Sequence, residues 1–299
     1  MDKQVKISVI MGVYNPEAAR LKKAAGSIIA QSMEEWEMII YDDGSDNTYV
    51  DSIYETAAMD KRITYIRNGD NHGLAYALNQ CLKAAKGKYI ARMDDDDESM
   101  PERFRKQYDF LETHPAYGWV GTNAELFDGK GTWGTRRVPE IPCGKDFLSS
   151  SPYIHPSVMF RREVLTKNYG YIPAEVTKRC EDYELFMRLY TNGYRGYNIQ
   201  ENLFRYRDDE NAYRKRLFCY RLNEMYIRYR GFKRMGILSP ATLPCVLRPL
   251  AGAIVPASLM RYIHKQKKEI STEGYGKDEP IMGQKIQEVP ARREKNAGA

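Results

Sequence analysis

The chain has 299 residues, 42% hydrophobic and 29% charged, the balance of a folded soluble protein with one main domain and a substantial core. Its five cysteines (Cys81, Cys143, Cys180, Cys219, Cys245) are odd in number and far apart, which excludes a paired zinc or redox motif and fits a reduced compartment. The net charge of +6 is concentrated, because residues 214–234 hold eight Lys or Arg against Glu224 alone; such a segment is a solvated helix face or an attachment to an anionic membrane, and no nucleic-acid partner is expected.

The start, Met1-Asp2-Lys3-Gln4, runs directly into an apolar stretch too short for a signal sequence, so a cytoplasmic location is expected. Residues 6–14 (KISVIMGVY) are nearly all apolar and rich in β-branched side chains, the composition of a strand covered on both faces in a parallel sheet. Asn15-Pro16-Glu17 then caps and opens a helix. Residues 37–41 (EMIIY) are a second buried strand, ending at Asp42-Asp43-Gly44-Ser45, a turn that also offers a helix cap. A third strand is predicted over 62–66. Residues 74–86 have helical periodicity and stop at Gly87, and 89–93 form a fourth strand that runs into Asp94-Asp95-Asp96-Asp97. Ser99-Met100-Pro101-Glu102 has capping-box spacing, with a helix to about His114.

This alternation predicts an open, mostly parallel α/β sheet flanked by helices, with ligands beyond the carboxyl ends of its strands, where both acidic motifs fall. From Trp119 onward the strand signals are shorter and mixed (WVGTNAELF, SVMFRR), and a helix over 181–190 ends at Asn192-Gly193. After Tyr206 the chain reads as helical. Its most apolar late stretch, 247–263, is interrupted by Arg248, Pro249, Pro256 and Arg261 and is too short and broken to span a bilayer. It is either an interfacial amphipathic element beside the basic segment or a helix packed back on the domain. From Lys265 the composition is that of a flexible tail.

Four consecutive aspartates at a strand end call for a counter-charge, because packed carboxylates repel and ionise together cheaply only near a cation. Hard oxygen donors favour Mn²⁺ or Mg²⁺, and a site with one or two protein carboxylates fills its shell with substrate phosphates and water, so a diphosphate ligand is implied. A calcium loop counted from Asp94 would put Ser99 and Arg105 where an EF-hand needs Gly and Glu, and is excluded. The plainer alternative is an acidic turn that caps the helix after Pro101.

In order and spacing, VIMGVYN, IIYDDGSDNT, NHGLAYALNQCLKAAKGKYIARMDDDD and CEDYELFMRL resemble the family 2 glycosyltransferases of the GT-A fold over about residues 5–207. The resemblance implies a GT-A domain at 1–207, with a nucleotide-sugar-binding half (1–115) and an acceptor-side half (116–207). A helical basic and apolar extension (208–264) and the tail (265–299) follow. It makes Val13, Tyr14 and Asn15 nucleotide contacts, and Asp42 the aspartate that hydrogen-bonds the donor base, assisted by Asp43. The family's D-x-D-D pattern falls on Asp94, Asp96 and Asp97, with Asp95 where a small residue is usual, a departure that blurs the register. Donor and ribose contacts fall to Asp94 and Asp95, and Mn²⁺ or Mg²⁺ coordination to Asp96. Asn71, Gly73 and Asn79 either support the nucleotide or shape the loop.

Asp182 resembles the family's catalytic base, with Glu181, His155, Trp133 and Arg136 on the acceptor side. Taken alone, Asp42 to Ser45 is an ordinary turn, Asp182 an ordinary helix cap, and a His before Pro an ordinary loop residue. The Q/R-x-x-R-W motif and membrane helices of the family's processive synthases are missing, which implies transfer of a single sugar, with inversion. The likeness extends through RGYNIQENLFRYRDDENAYRKR to bacterial exopolysaccharide and capsule glycosyltransferases, the EpsE-like proteins among them. It implies a nucleotide-sugar donor, a UDP-sugar foremost, and a saccharide or polyprenyl-diphosphate-linked acceptor met at the inner membrane face. The rival readings are a nucleotidyltransferase, for which the glycine-rich phosphate loop with lysine is missing, and a binding or regulatory protein with a vestigial nucleotide-sugar site.

Overall fold

The computed structural model describes residues 4–209 and 218–254. Its first part alternates as the sequence predicts: β1 (Ile7–Val13), α1 (Ala18–Ile29), β2 (Trp36–Asp43), α2 (Asn47–Ala57), β3 (Ile63–Asn68), α3 (Leu74–Ala84) and β4 (Tyr89–Arg92). The two-residue strand β5 (Glu98–Ser99) and α4 (Arg103–Thr113) lead into β6 (Trp119–Asp128), β7 (Gly131–Arg136), β8 (Met159–Arg161), α5 (Arg162–Lys167), α6 (Glu181–Thr191) and β9 (Gly196–Arg207). Helices α7 (Phe218–Arg234) and α8 (Leu243–Ile254) follow.

One sheet runs in the order β3-β2-β1-β4-β8-β6-β9-β5, with β7 on β6. Strands β1 to β4 are mutually parallel. β8 lies antiparallel between β4 and β6, and β9 is parallel to β6. β1 to β4, β6 and β9 therefore point one way, and β5, β7 and β8 the other. This is the expected α/β class, a mostly parallel sheet flanked by helices.

The pleat of β1 sorts the core. Ile7, Val9, Met11 and Val13 pack with Leu21, Ala24 and Ile28 of α1, Ile53 of α2 and Phe104 of α4. Ile10 turns to the other side, with Ala77, Leu78 and Cys81 of α3 and Leu185 and Phe186 of α6. Period-2 alternation between two helical layers is why the strand reads as a continuous apolar run. Each fully buried Leu, Ile or Phe there contributes roughly 1.5–3 kcal/mol.

Two predicted caps are replaced. Ser99 does not cap the helix after Pro101: it lies in β5, where its hydroxyl accepts from Gln31 Nε2 at 3.1 Å and its amide donates to Ser27 Oγ at 2.9 Å. The buried Gln31 does the capping instead, its Oε1 accepting the Phe104 amide at 3.0 Å near the start of α4. Asn15 does not cap α1, which follows Glu17; it takes a left-handed conformation (φ 49°) that serves the neighbouring turn.

Of the expected extension, 210–217 and everything beyond 254 lie outside the described residues, as does the tail at 265–299. The end of the apolar stretch 247–263 lies there too. Among the described residues no helix is long and apolar enough to cross a membrane.

Gly44 joins β2 to the turn before α2 with φ +79°, and a Cβ there would lie 2.6 Å from the Asp70 carbonyl carbon. Strain and clash act together, so Gly44→Ala should lower stability by about 1–3 kcal/mol, read as a reduced midpoint in urea unfolding.

Candidate functional site

A cleft of about 830 Å³ opens at the carboxyl ends of β1, β2 and β4, where an α/β sheet of this kind receives ligands. Val13, Tyr14 and Asn15 form its floor, Asp43 and the loop Asn71–Gly73 one wall, and Asp94, Asp95 and Asp96 the next. The far side is the segment 173–181 with Tyr220 of α7.

Asn15 ties the first two strand ends together. Its amide donates to Ser45 Oγ at 2.9 Å, and its side chain exchanges hydrogen bonds with Asp46, 3.0 Å to Oδ2 and 2.8 Å from the amide. The two aspartates of the turn divide their work differently from the sequence expectation. Asp42 is fully buried and does not line the cleft; Oδ1 accepts the Ser45 amide at 2.8 Å, and Oδ2 accepts the Tyr65 hydroxyl at 2.9 Å. It holds the turn, and Asp43 faces the cleft. Asp43 Oδ2 accepts the amides of His72 and Gly73 at 2.9 and 2.6 Å, while Oδ1 is buried without a partner. Burial raises its pKa against the pull of those two amides. The reason for the exchange is the strand period: successive side chains of β2 point to opposite faces.

The acidic run is a tight turn after β4 with its carboxylates sorted. Asp94 pairs with Arg92, which is fully buried in β4. Asp97 points inward: Oδ1 accepts the Arg207 amide of β9 at 2.7 Å, and Arg207 Nε donates to the Asp96 carbonyl at 3.0 Å. Beneath them Arg103, fully buried in α4, donates to the Arg92 carbonyl at 2.9 Å and to Gln107 Oε1 at 3.0 Å. Asp95 and Asp96 are left with their carboxylates on the cleft. Burial, then Asp96 and Asp94, pushes Asp95 up to about 7. Burial, then Asp94, pushes Asp96 up to about 6 against the pull of Arg207 and Arg20. The blurred register thus resolves into an anchor, Asp97, and three cleft residues.

At the start of α6 Glu181 lines the cleft, and burial followed by Asp182 pushes it up to about 7. Asp182 lies beside the cleft rather than in its wall. Burial raises its pKa against the pull of the Tyr183 amide, which donates to Asp182 Oδ1 at 2.8 Å, and of the Arg136 charge of β7, while Asp94 adds to the rise. Arg136 also lies over the Tyr206 ring at 5.8 Å, while Trp133 is on the same hairpin, away from the cleft lining.

His155 is not an open acceptor contact. It is buried, hydrogen-bonded to the Tyr171 hydroxyl at 2.8 Å, and burial followed by the Arg92 charge holds it neutral. Asn79 is likewise structural, clasping the Tyr171 backbone through two bonds of 2.7 and 2.9 Å. The sequence reading misses Arg92, Arg103, Arg207, Arg20, the basic pair Lys178 and Arg179, and Tyr220. Arg92 did carry a signal, a charge inside an otherwise apolar strand just before four acids.

Among the described residues no three His, Cys, Asp or Glu side chains converge to enclose a metal. The donor set fits a divalent cation bound the other way, by one or two carboxylates of Asp94 to Asp96 and completed by phosphate oxygens. Two carboxyls pushed toward neutrality by burial and by neighbouring acids, with Asp94 common to both, are what such a cation would relieve.

Sheet order and cleft together have the architecture of the GT-A glycosyltransferases. The chain belongs to glycosyl transferase family 2, whose sequence profile matches residues 8–169. It is 38% identical over 280 residues to EpsE of Bacillus subtilis (strain 168), a protein named as a glycosyltransferase, covering 93% of this chain and all of that one. It is 26% identical over 275 residues to the Escherichia coli UDP-Gal:alpha-D-GlcNAc-diphosphoundecaprenol beta-1,3-galactosyltransferase, covering 89% of this chain and 97% of the relative. Its fold matches the mannosyltransferase PcManGT of Pyrobaculum calidifontis, solved with GDP-Man and Mn²⁺, at a TM-score of 0.57 and 17% identity over 91% of this chain and 84% of that one.

Raised carboxyl pKa values mean that the native state holds protons the unfolded chain has already released, so metal-free stability falls as pH climbs from about 5 to about 8. Thermal unfolding in EDTA should show that slope. Asp95→Asn should flatten it and gain on the order of 1 kcal/mol at about pH 8; an unchanged slope would show the carboxyl is not strained.

Proposed function

We propose that this chain transfers one sugar from a nucleotide-diphosphate sugar, a UDP-sugar foremost, to a hydroxyl of a saccharide or polyprenyl-diphosphate-linked acceptor, in exopolysaccharide or capsule biosynthesis. The observation that carries the reading is a single cleft with an unpartnered carboxylate oxygen of Asp43 on one wall and three carboxylates of the β4 turn on the next. An orphaned buried acceptor suits the N–H of a base, and the clustered acids suit a cation-bridged diphosphate. The E. coli relative, named for a UDP-sugar and a diphosphoundecaprenol acceptor, supports the donor and acceptor classes.

In this reading Tyr14 and Asn15 flank the nucleoside, Asp43 Oδ1 receives the base, and Asp94 and Asp95 receive the ribose and sugar. Asp96 holds Mn²⁺ or Mg²⁺, which when bound neutralises charge on the departing diphosphate. Asp182 accepts the proton of the acceptor hydroxyl as that oxygen bonds to the anomeric carbon. The bond to the diphosphate breaks on the opposite face, the nucleoside diphosphate leaves with the electron pair, and configuration inverts. Glu181 shares the site, and the Tyr183 amide and Arg136 oppose the upward push of burial on the Asp182 carboxyl.

Thermal unfolding with UDP, GDP and dTDP, each with and without Mn²⁺, tests the donor half. A ligand at ~100 times its dissociation constant should add roughly 2.7 kcal/mol for one base, and Asp96→Asn should remove the Mn²⁺-dependent part. No shift with any nucleotide would favour a vestigial site. For the acceptor half, Asp182→Asn should keep the nucleotide shift while sugar transfer falls about 10²–10⁴-fold. Transfer at the wild-type rate would take the base role from Asp182.

A further inference from the structure

The basic segment divides into two sets of cations once α7 is folded. Arg221 donates to the Pro249 carbonyl at 3.1 Å. Arg228 is buried and binds the carbonyls of Leu148, Ser149 and Cys245 together with Glu224, which locks α7 to α8 and to the segment beneath. Arg230 and Arg234 are exposed on the flank toward α6, where with Tyr226 they border a small pocket, and Lys233 is exposed on the opposite arc of the helix. That same arc carries Phe218, Leu222, Tyr226 and Tyr229, exposed at 61%, 39%, 42% and 44%, a run of large apolar side chains rather than one stray residue. Helical spacing places them in one band about 80° wide, with Lys233 within it, Arg230 about 40° beyond its edge and Arg234 about 80° beyond. Arg230 bonds the Tyr226 hydroxyl at 3.0 Å, so cation and ring stand together. The one acid of α7, Glu224, lies off this arc, engaged with Arg228. Leu243, Leu247 and Arg248 of α8 are exposed as well.

We infer that this outer face of α7, with the adjoining part of α8, seats on an anionic lipid surface. A band of Phe, Leu and Tyr with Lys within it, Arg beside it and no acids matches the boundary between headgroups and acyl chains, where rings and aliphatic chains enter the interface and guanidinium groups meet phosphates. A soluble basic face would instead be polar between its charges. Position gives the surface a use. Tyr220, on the inner arc, lines the cleft, and Asn223 Nδ2 holds the Glu175 carbonyl of the cleft wall at 2.7 Å. The cleft therefore opens about one helix diameter, roughly 10 Å, from the seated face. The use, though not the surface, rests on the lipid-linked acceptor proposed above.

The test is co-sedimentation of the full chain with phosphatidylcholine vesicles, neutral or with roughly one-third phosphatidylglycerol, at low and high salt. The wild type should pellet with the anionic vesicles and lose most of that binding at high salt. Leu222→Ser/Tyr229→Ser and Arg230→Glu/Lys233→Glu/Arg234→Glu should each bind at least about tenfold more weakly while keeping the nucleotide-dependent thermal shift. Pelleting equally with neutral vesicles, or unchanged binding in both variants, overturns the inference. So does a wild-type dimer in light scattering that both variants abolish, which would give the face to a second copy. Loss of the nucleotide shift in the wild type with vesicle binding intact would remove the donor reading and leave this one standing.

Discussion

The cleft depends on keeping four adjacent carboxylates in one turn at the end of β4. Left to water, such a turn would splay; here three arginines from three elements hold it. Arg92 comes from β4, Arg103 from α4 and Arg207 from β9, and the first two are fully buried. Buried guanidinium groups are costly unless every donor is used, and Arg103 spends its donors on carbonyls and on Gln107. The core beneath the site is thus partly cationic, which sets which acids turn inward and which remain on the cleft.

The same economy joins the two halves. Asn79 of α3 clasps Tyr171, whose hydroxyl meets His155, and the segment that follows forms the far wall of the cleft. Residues that resemble ligand contacts at the level of sequence hold that wall at its distance from the acidic turn. Asp42 does the same for the opposite wall, freeing Asp43 to face inward.

How far the sequence reaches follows from burial. β1, β2 and β4 are legible because strands covered on both faces are continuous apolar runs, α3 because one stripe of it is buried, and α6 because its buried middle, Tyr183 to Leu189, is mostly apolar. β9 is harder: its middle, Gln200 to Asn202, is exposed and its register against β6 shifts there, so no period-2 pattern survives. β5 is two residues long and β7 mostly half-buried, too short or too polar to announce themselves. The acidic motifs are visible by composition, but which oxygen faces the cleft is a matter of strand phase and long-range amide partners, which spacing along the chain does not encode.

Asp97 accepts its amide from a residue 110 positions later, and β5 beside it pairs, among the described residues, with β9 alone. Asp97 therefore lacks this native partner until nearly the whole sheet is in place. On a chain emerging from the ribosome, the first hundred residues can form their parallel core, yet the pocket stays unmade until the last strand arrives. A truncated or stalled product ending before Arg207 would present a half-built sheet with Asp97 unclamped. Competence for ligand thus reports completion of the fold.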